Sequence, residues 1–243
     1  MDQFRVFRAI GLAFKAWFAN FIPITLLAVV LYSPMIIWLT QMPSFKLETL
    51  GDADQFSKAI NHGVWLQQAL ATLIAPFTVY RVIQYMNGEK TSIVTSVKYG
   101  VRGILPAAIL GGAVTLINMI PMGGIIGAIL LCYWFVAAPA AVVEKLNPVA
   151  ALSRSATLTS GRRWPIFGLC FLVGLIEVLI MVALLIPAIT SKNLESIKSI
   201  MITIFVVGGV SQLFMGIVAA VSYSLLRGDK DGVTNEELAK VFE

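Results

Sequence analysis

The chain has 243 residues, of which 58% are hydrophobic and only 13% carry a charge, and its mean hydropathy is +0.85. Because soluble domains carry about 25% charged residues, this composition excludes an ordinary soluble fold and predicts a polytopic membrane protein. The formal net charge is +5, and its distribution is more informative than its size. No polar stretch is long enough for a separate soluble domain, so we expect a single all-α membrane domain over residues 1–243.

Six apolar segments are each close to the ~20 residues that a helix needs to cross a bilayer. The predicted spans are 21–40, 64–86, 104–120, 124–143, 164–189 and 200–226. An even number of spans places both termini on the same side of the membrane. Of the 18 Lys and Arg residues, 14 lie on that side and four on the other, so the positive-inside rule predicts that both termini are cytoplasmic.

The order amphipathic helix, basic elbow, proline, span and return span occurs three times along the chain. It predicts pseudo-repeats over residues 1–87, 88–146 and 147–226, each forming one helical hairpin of a six-helix bundle. Basic amphipathic helices with aromatic faces lie in the headgroup plane of a membrane, so we expect a cytoplasmic collar of interfacial helices. Its lipid-facing side chains are predicted to be Arg5, Arg8, Lys15, Lys98, Arg102, Arg154, Arg162, Arg163 and Trp164.

The third interfacial helix has clear signals at both ends. Asn147 is a favoured N-cap residue, and Pro148 follows at the first helical position, where its missing N–H costs nothing. Gly161 can end the helix in the left-handed conformation. The cytoplasmic tail, residues 227–243, predicts one more short helix, because Thr234 and Glu237 have the spacing of a capping box.

Three prolines lie in the interior of predicted spans, and each should kink its helix because proline removes a backbone hydrogen bond. They are Pro34, Pro76 and Pro139. On the opposite side of the membrane from the termini, residues 42–61 form the only sizeable loop. This segment mixes acidic and apolar residues, so we expect a short lid that packs on the bundle.

Arg81 and Glu144 occupy matching positions, near the cytoplasmic ends of the second and fourth predicted spans. Matching positions in a ring of repeats should approach one another, and a charge at that depth needs a partner. We therefore predict an ion pair between Arg81 and Glu144. The alternative is that each side chain extends independently to the lipid headgroups.

Glu177 lies near the middle of the fifth predicted span, where a charge is most costly. Polar residues of other spans could bond to it, namely Asn118, Tyr133, Ser211 and Gln212, and Glu177, Asn118 and Gln212 form the candidate intramembrane polar site. One interpretation is a proton- or cation-responsive site, and the other is a protonated carboxyl group that hydrogen-bonds between helices. We favour the second, because a lone acid without charged neighbours makes a poor relay.

The sequence carries no signal of an enzyme or of a cofactor site. The single histidine, His62, lies in or near the outer loop, and no His, Cys, Asp or Glu cluster has the spacing of metal ligands. There is no Gly-rich phosphate loop and no Ser-His-Asp set. We therefore predict no enzymatic activity, no cofactor and no metal. The basic residues lie beside the spans, which favours anionic lipid rather than nucleic acid as the partner.

Two groups of residues resemble a known family. They are Glu144 with Ala151-Leu152-x-Arg154-Ser155-x-x-Leu158-Thr159-x-Gly161-x-x-Trp164, and Tyr223…Leu226-Arg227…Asp231-Gly232…Glu237-Leu238-Ala239…Phe242. The pattern resembles the membrane domain associated with glycerophosphoryl diester phosphodiesterases, and the layout is similar to small bacterial inner-membrane proteins of the YciC type. The resemblance implies a bacterial inner-membrane protein that acts in membrane or envelope organisation. The catalytic barrel of those enzymes is absent from this sequence, so the resemblance does not imply phosphodiesterase activity.

The leading hypothesis is a non-enzymatic integral membrane protein that organises lipid or a membrane-protein complex through its basic collar. Its partners would be the phospholipid bilayer, anionic lipid headgroups, and other membrane proteins or further copies of the chain. The alternative is a small transporter or channel that uses the kinked helices and Glu177, which a continuous polar cavity reaching Glu177 would favour. An enzyme acting on lipid is the third hypothesis and would require a site in the headgroup layer.

Overall fold

The computed structural model describes residues 6–42, 50–88, 92–118, 123–190 and 195–232. Within these ranges the chain forms ten α-helices and no β-strand, which confirms the predicted all-α class. The helices are α1 (Val6–Ala19), α2 (Phe21–Leu31), α3 (Ser33–Gln41), α4 (Leu50–Met86), α5 (Ile93–Asn118), α6 (Gly123–Trp134), α7 (Ala137–Val143), α8 (Pro148–Thr159), α9 (Arg163–Thr190) and α10 (Glu195–Asp231). The predicted tail helix after Thr234 lies outside the described residues.

In the part of the chain that the structure describes, three stretches of helix are long and apolar enough to cross a membrane, namely Ile126–Val143, Arg163–Ile186 and Lys198–Asp231. The number rises to four if α1 and α2, which meet at a bend of 78°, are counted as one broken span. The α9 stretch is only 17% buried within the bundle, and large apolar side chains such as Phe171 and Leu179 are about 60% exposed. Apolar side chains exposed along a whole helix are typical of contact with lipid, so these features agree with a membrane protein.

The helix α1, which was predicted to be the first interfacial helix, has two distinct sides. Ala9, Ala13 and Ala16 face the bundle and are fully buried, because their small side chains let the helix lie close against its neighbours. Phe7 and Phe18 point away from the bundle and are 81% and 70% exposed. The aromatic side predicted to face lipid is therefore the side that the protein leaves uncovered.

Pro34 breaks the first predicted span, as expected, whereas Pro76 lies inside an unbroken helix. Tyr32 separates α2 from α3, and the carbonyl of Val30 lacks its usual helical donor four residues on because Pro34 has no N–H. The Ser33 hydroxyl donates to that carbonyl at 2.7 Å, so the break leaves no unpaired acceptor there. By contrast, α4 continues without interruption from Leu50 to Met86 around Pro76.

The prediction of a loop over residues 42–61 is wrong for most of that segment, because α4 begins at Leu50. Lys58 donates to Asp54 one turn earlier, at 2.6 Å, and such pairs four residues apart support a helix. Residues 43–49 lie outside the described part of the chain.

The three segments that were predicted to be interfacial pack on helices in a similar way, and the first of them, α1, packs on α10. The ring of Phe14 lies 4.7 Å from that of Phe214, centroid to centroid. The first turns of α5 pack on α4, and α8 packs on α7. Three fully buried small residues occupy the same place, ten residues before Pro23, Pro106 and Pro165: they are Ala13, Ser96 and Ser155. The threefold repeat remains a prediction, and these positions agree with it.

Candidate functional site

A short connection between α7 and α8 positions Glu144 at the end of the bundle. Glu144 caps α7, Lys145 follows with a positive φ of 54°, and the N–H of Leu146 donates to the Ala141 carbonyl at 3.2 Å. These features form a Schellman-type helix end. Asn147 then begins α8 by accepting a hydrogen bond from the N–H of Ala150 at 2.8 Å, which confirms the predicted N-cap.

Glu144 lies in a cluster of charged and polar side chains from three helices, which we call the Glu144 cluster. Its members are Glu144, Arg154, Tyr223, Arg227 and Asp231. The Arg154 Nε donates to both carboxylate oxygens of Glu144 at 3.0 Å, and the Tyr223 hydroxyl donates to Glu144 at 2.8 Å. A second nitrogen of Arg154 pairs with Asp231. The cluster therefore ties the end of α7 to both α8 and α10.

The spacing of the α10 residues explains how they meet. Tyr223, Arg227 and Asp231 follow one another at intervals of four residues, so they share one face of the helix. The Arg227 Nη1 donates to the Tyr223 hydroxyl at 3.0 Å, and its Nε lies 3.6 Å from Asp231. Beside the cluster, Arg162 lies 3.9 Å from Asp229.

The charges of this region balance, since Arg154, Arg162 and Arg227 face Glu144, Asp229 and Asp231. Burial opposes ionisation of Arg154, but its hydrogen bonds and charge interactions with Asp231 and Glu144 outweigh burial and raise the pKa of Arg154 above its ordinary value. Arg154 is therefore charged throughout the physiological pH range.

The break between α6 and α7 is bridged by α8, the helix that supplies Arg154. Residues 135–136 separate α6 from α7, just before Pro139. The Ser155 hydroxyl donates to the Tyr133 carbonyl at 2.9 Å and accepts a hydrogen bond from the N–H of Val136 at 3.3 Å. Thr159 adds a weaker bond to the same carbonyl at 3.4 Å. Ser155 thus satisfies backbone groups that the break exposes, and it fixes α8 against the end of the bundle.

The predicted ion pair between Arg81 and Glu144 is wrong, because each side chain bonds to other partners. The Arg81 guanidinium donates to the Ser96 hydroxyl at 3.0 Å and to the Asn20 side-chain oxygen at 3.2 Å. All three residues are buried, and Arg81 is only 5% exposed. The repeat alignment gave both residues the same depth, but Glu144 is bonded by Arg154 of the adjacent helix.

The collar residues fall into two groups. Arg8, Lys15 and Lys98 are exposed, and Trp164 is 84% exposed, as expected of lipid-facing side chains. The arginines of α8 and its elbow differ: Arg154 belongs to the Glu144 cluster, Arg162 faces Asp229, and Arg163 stacks on the Tyr133 ring with its guanidinium carbon 3.7 Å from the centroid. The prediction that Arg154 faces lipid is therefore corrected, since its charge is neutralised within the protein. Arg5 and the side chain of Arg102 lie outside the described part of the structure.

The structure divides the predicted intramembrane polar site into separate contacts. Glu177 accepts a hydrogen bond from the Ser211 hydroxyl at 2.6 Å, whereas Gln212 donates to Gln68 at 3.4 Å. Asn118 ends α5, and its side chain lies outside the described part of the structure. Glu177 is thus bonded across two helices, α9 and α10, as the interhelical interpretation expects.

A cavity of about 390 Å³ lies between α4, α5, the α6–α7 segment and α10. Its polar lining consists of Gln68, Thr72 and Gln212, and Glu177 is not part of that lining. The remaining wall is made of small and apolar side chains, such as Ala75 and Met215. The cavity is large enough for a small ligand or part of a lipid chain.

Several residues of the site were named by the sequence only as part of the family resemblance, and others were not singled out. Glu144, Arg154, Tyr223, Arg227 and Asp231 belong to the resemblance pattern, and they meet in one cluster. Asn20, Ser96 and Asp229 were missed, although a polar residue in an otherwise apolar packing surface is a usable signal.

In the described ranges, no three His, Cys, Asp or Glu side chains are grouped as a metal site would require. Comparison with protein-family models, curated proteins and solved structures finds no match to this chain.

Proposed function

We propose that this chain is a non-enzymatic integral membrane protein of the bacterial inner membrane that organises anionic lipid, or a membrane-protein complex, at the cytoplasmic surface. In this proposal six spans form three hairpins, both termini are cytoplasmic, and the interfacial helices surround the cytoplasmic end. The resemblance to the phosphodiesterase-associated membrane domain supports the same proposal, because its pattern residues meet in the Glu144 cluster at that end.

The observation that carries the proposal is the uncovered side of α1. Phe7, Phe14 and Phe18 are exposed on a helix that is bent by 78° from α2, and Lys15 is exposed among them. A short helix with aromatic residues and exposed cations, lying at a steep angle to a spanning helix, is suited to the boundary between headgroups and acyl chains. Trp164 supplies an equivalent aromatic anchor at the start of α9.

Anionic lipid is the partner that these charges favour. Each Lys or Arg near a negatively charged leaflet contributes about 1 kcal/mol of attraction. Arg154, Arg162 and Arg163 add little to this attraction because acidic side chains or the Tyr133 ring already engage them. Lys15 and Lys98 are exposed, and they are the side chains to test.

The experiment compares lipids retained by the double variant Lys15→Gln, Lys98→Gln with those retained by a matched control. The control is Lys58→Gln, Lys198→Gln, which removes the same charge from the predicted outer side. Protein is extracted with its surrounding membrane in polymer-bounded discs, and the ratio of phosphatidylglycerol to phosphatidylethanolamine is measured by mass spectrometry. We expect the collar variant to lose the enrichment in phosphatidylglycerol and the control to keep it. Equal ratios in both variants and the wild type would contradict the proposal.

A transporter or channel is the second candidate function, and the cavity beside Gln68 and Gln212 favours it. Its lining does not include Glu177, so the proposed proton or cation route through that residue has less support than the cavity itself. Proton flux into liposomes, followed with an internal pH-sensitive dye, tests this candidate. Flux that is lost in both Gln212→Leu and Glu177→Gln would support it, and no flux above that of empty liposomes would exclude proton transport.

A further inference from the structure

Within the described part of the chain, Arg81 is a buried cation without an acidic partner. The residue is 5% exposed, and its guanidinium donates to the neutral side chains of Asn20 and Ser96. Its Nε makes no hydrogen bond. A buried charge costs several kcal/mol unless an opposite charge and good hydrogen bonds compensate it, and membrane proteins pair such residues or use them functionally.

Two further residues near the end of α4 leave buried polar atoms without partners. Gln84 and Asn87 follow Arg81 at intervals of three residues toward the end of α4 at Met86 and the turn after it. The Gln84 side-chain oxygen and both polar atoms of the Asn87 amide are buried and unbonded. Native structures rarely leave such atoms unpaired, and here they accompany a buried charge that is also incompletely bonded.

Among the described residues, the acidic side chains of the Glu144 cluster and the adjacent Asp229 are already engaged. Glu144 and Asp231 bond to Arg154, and Asp229 faces Arg162. The Glu144 cluster is thus neutral within itself, and it offers no spare carboxylate to Arg81. The missing negative charge would have to come from outside the described chain.

The site lies close to the surface of the bundle. Asn20 is at the bend between α1 and α2, and Ser96 is in the first turns of α5. Its α5 neighbours Val94 and Lys98 are exposed, so the turn of α5 that carries Ser96 also reaches the surface of the bundle. Guanidinium groups bind phosphate oxygens well because their planar N–H groups match the geometry of the anion.

We infer that Arg81, with Asn20 and Ser96, forms a binding site for a phosphate-type oxyanion at the cytoplasmic end of the bundle. The Nε and the outer N–H groups of Arg81 hold the oxyanion, while Asn20 and Ser96 fix the guanidinium plane. This inference rests on the proposed function, because lipid headgroups are the nearest source of phosphate. Free phosphate has the same chemistry, and the experiment separates the two sources.

The experiment measures the thermal midpoint of the full-length protein in maltoside micelles free of phosphate. Phosphatidylglycerol, diacylglycerol with the same acyl chains, and inorganic phosphate are added separately. We expect phosphatidylglycerol to raise the wild-type midpoint and diacylglycerol not to do so. A rise with inorganic phosphate alone assigns the site to a soluble anion instead. If neither phosphate-bearing additive raises the wild-type midpoint, the inference is overturned.

Arg81→Met removes the charge with little change in side-chain volume. We expect this variant to need about tenfold more of the active additive for the same rise in thermal midpoint, because one strong charge-assisted contact is lost. Arg81→Lys keeps the charge but lacks the planar fork, and it provides the same comparison should the methionine variant not fold. An undiminished response in the folded variant would overturn the inference.

The collar variant Lys15→Gln, Lys98→Gln separates this inference from the proposed function. It should keep the midpoint response of the Arg81 site even if it loses its excess of surrounding anionic lipid. A collar variant that loses the response while Arg81→Met keeps it would support the collar and contradict the Arg81 site.

Discussion

Glu144 lies at the C-terminal end of α7 and Arg81 lies near the C-terminal end of α4, but the charges at these two places are balanced in opposite ways. In the Glu144 cluster, carboxylates and guanidinium groups bond to one another, and their side chains are between 16% and 27% exposed. At the Arg81 site a more deeply buried guanidinium has neutral partners among the described residues. The carboxylates and guanidinium groups of the Glu144 cluster therefore neutralise one another, whereas the described residues around Arg81 supply no matching negative charge.

The difference arises from how far the neighbouring helix extends beyond each site. Beyond Tyr223, α10 runs on for two more turns to Asp231 and so brings acidic groups to the Arg154 guanidinium. In contrast, α4 ends at Met86, five residues after Arg81. A self-neutralised cluster stabilises the packing of helices, and an unbalanced one is available to a ligand. Stability should therefore depend mainly on the first site and ligand response on the second.

Removing the Glu144 charge should have the largest effect on stability. Glu144→Gln leaves Arg154 and Arg227 with Asp231 as their remaining acidic partner in the cluster, and we expect a loss of about 3 kcal/mol, toward the lower end for a broken buried pair because solvent reaches this one. The measurement is the free energy of unfolding in mixed micelles titrated with sodium dodecyl sulfate.

The matched control for Glu144→Gln is Asp54→Asn, which removes a carboxylate from the exposed pair with Lys58. Its side chains are 61% and 73% exposed, so we expect a loss of no more than about 0.5 kcal/mol. Equal losses in the two variants would show that the Glu144 cluster contributes no more than an ordinary surface pair.

Ser155→Ala should have the next largest effect, because it leaves the Tyr133 carbonyl and the Val136 N–H poorly bonded. An unsatisfied buried backbone group costs about 1 to 3 kcal/mol, and we expect a loss near 2 kcal/mol in the same titration. Ser153→Ala, on the exposed side of α8, is the control and should change stability by less than about 0.5 kcal/mol. A neutral Ser155→Ala would mean that the break in the α6–α7 segment is satisfied in another way.

Gly100→Ala tests the close approach that allows Ser96 to reach Arg81. A Cβ at position 100 would lie 2.1 Å from the Phe77 ring, so α5 must move away from α4 or the ring must shift. Overpacking of this kind costs about 1 to 3 kcal/mol, and we expect about 1.5 kcal/mol together with a weaker response to the additive that binds at Arg81.

Gly112→Ala is the control for Gly100→Ala, because a Cβ at this position on the same helix meets nothing within 4 Å. It should leave stability unchanged or raise it by up to about 1 kcal/mol through helix propensity. If Gly100→Ala behaves in the same way, tight packing at Phe77 is not what holds Ser96 in place.

The sequence predicted the local features of these sites better than their partners. The N-cap at Asn147 and the left-handed helix end at Gly161 could be predicted because each depends on a few neighbouring residues. The structure confirms both predictions. The predicted Arg81–Glu144 ion pair is wrong because a repeat alignment gives the position of a residue along its helix but not its direction around the helix axis. One residue of misalignment turns a side chain by about 100° around its helix, which is enough to direct it to a different neighbour.

The extension of α4 could have been predicted from a signal that was present. Residues 42–61 mix acidic and apolar residues and were interpreted as a loop that packs on the bundle, but Asp54 and Lys58 have the helical spacing of an ion pair. The burial of Arg81 was harder to foresee, since Asn20 lies 61 residues earlier in the chain. Contacts of that kind depend on how α1 and α2 bend, and the local sequence does not specify the bend angle.

The smallest expected effect concerns the residue that follows Glu144. Lys145 has a φ of 54°, a left-handed conformation that costs a residue with a Cβ about 1 kcal/mol relative to glycine. Lys145→Gly should therefore stabilise the protein by about 1 kcal/mol in the unfolding titration. Gly161→Ala is its counterpart, because Gly161 has a φ of 77° with open space around its Cα, and we expect it to destabilise by about the same amount. Opposite signs in the two variants would show that backbone strain is the cause. Loss of stability in Lys145→Gly would instead indicate that the lysine side chain itself helps to hold the Glu144 cluster together.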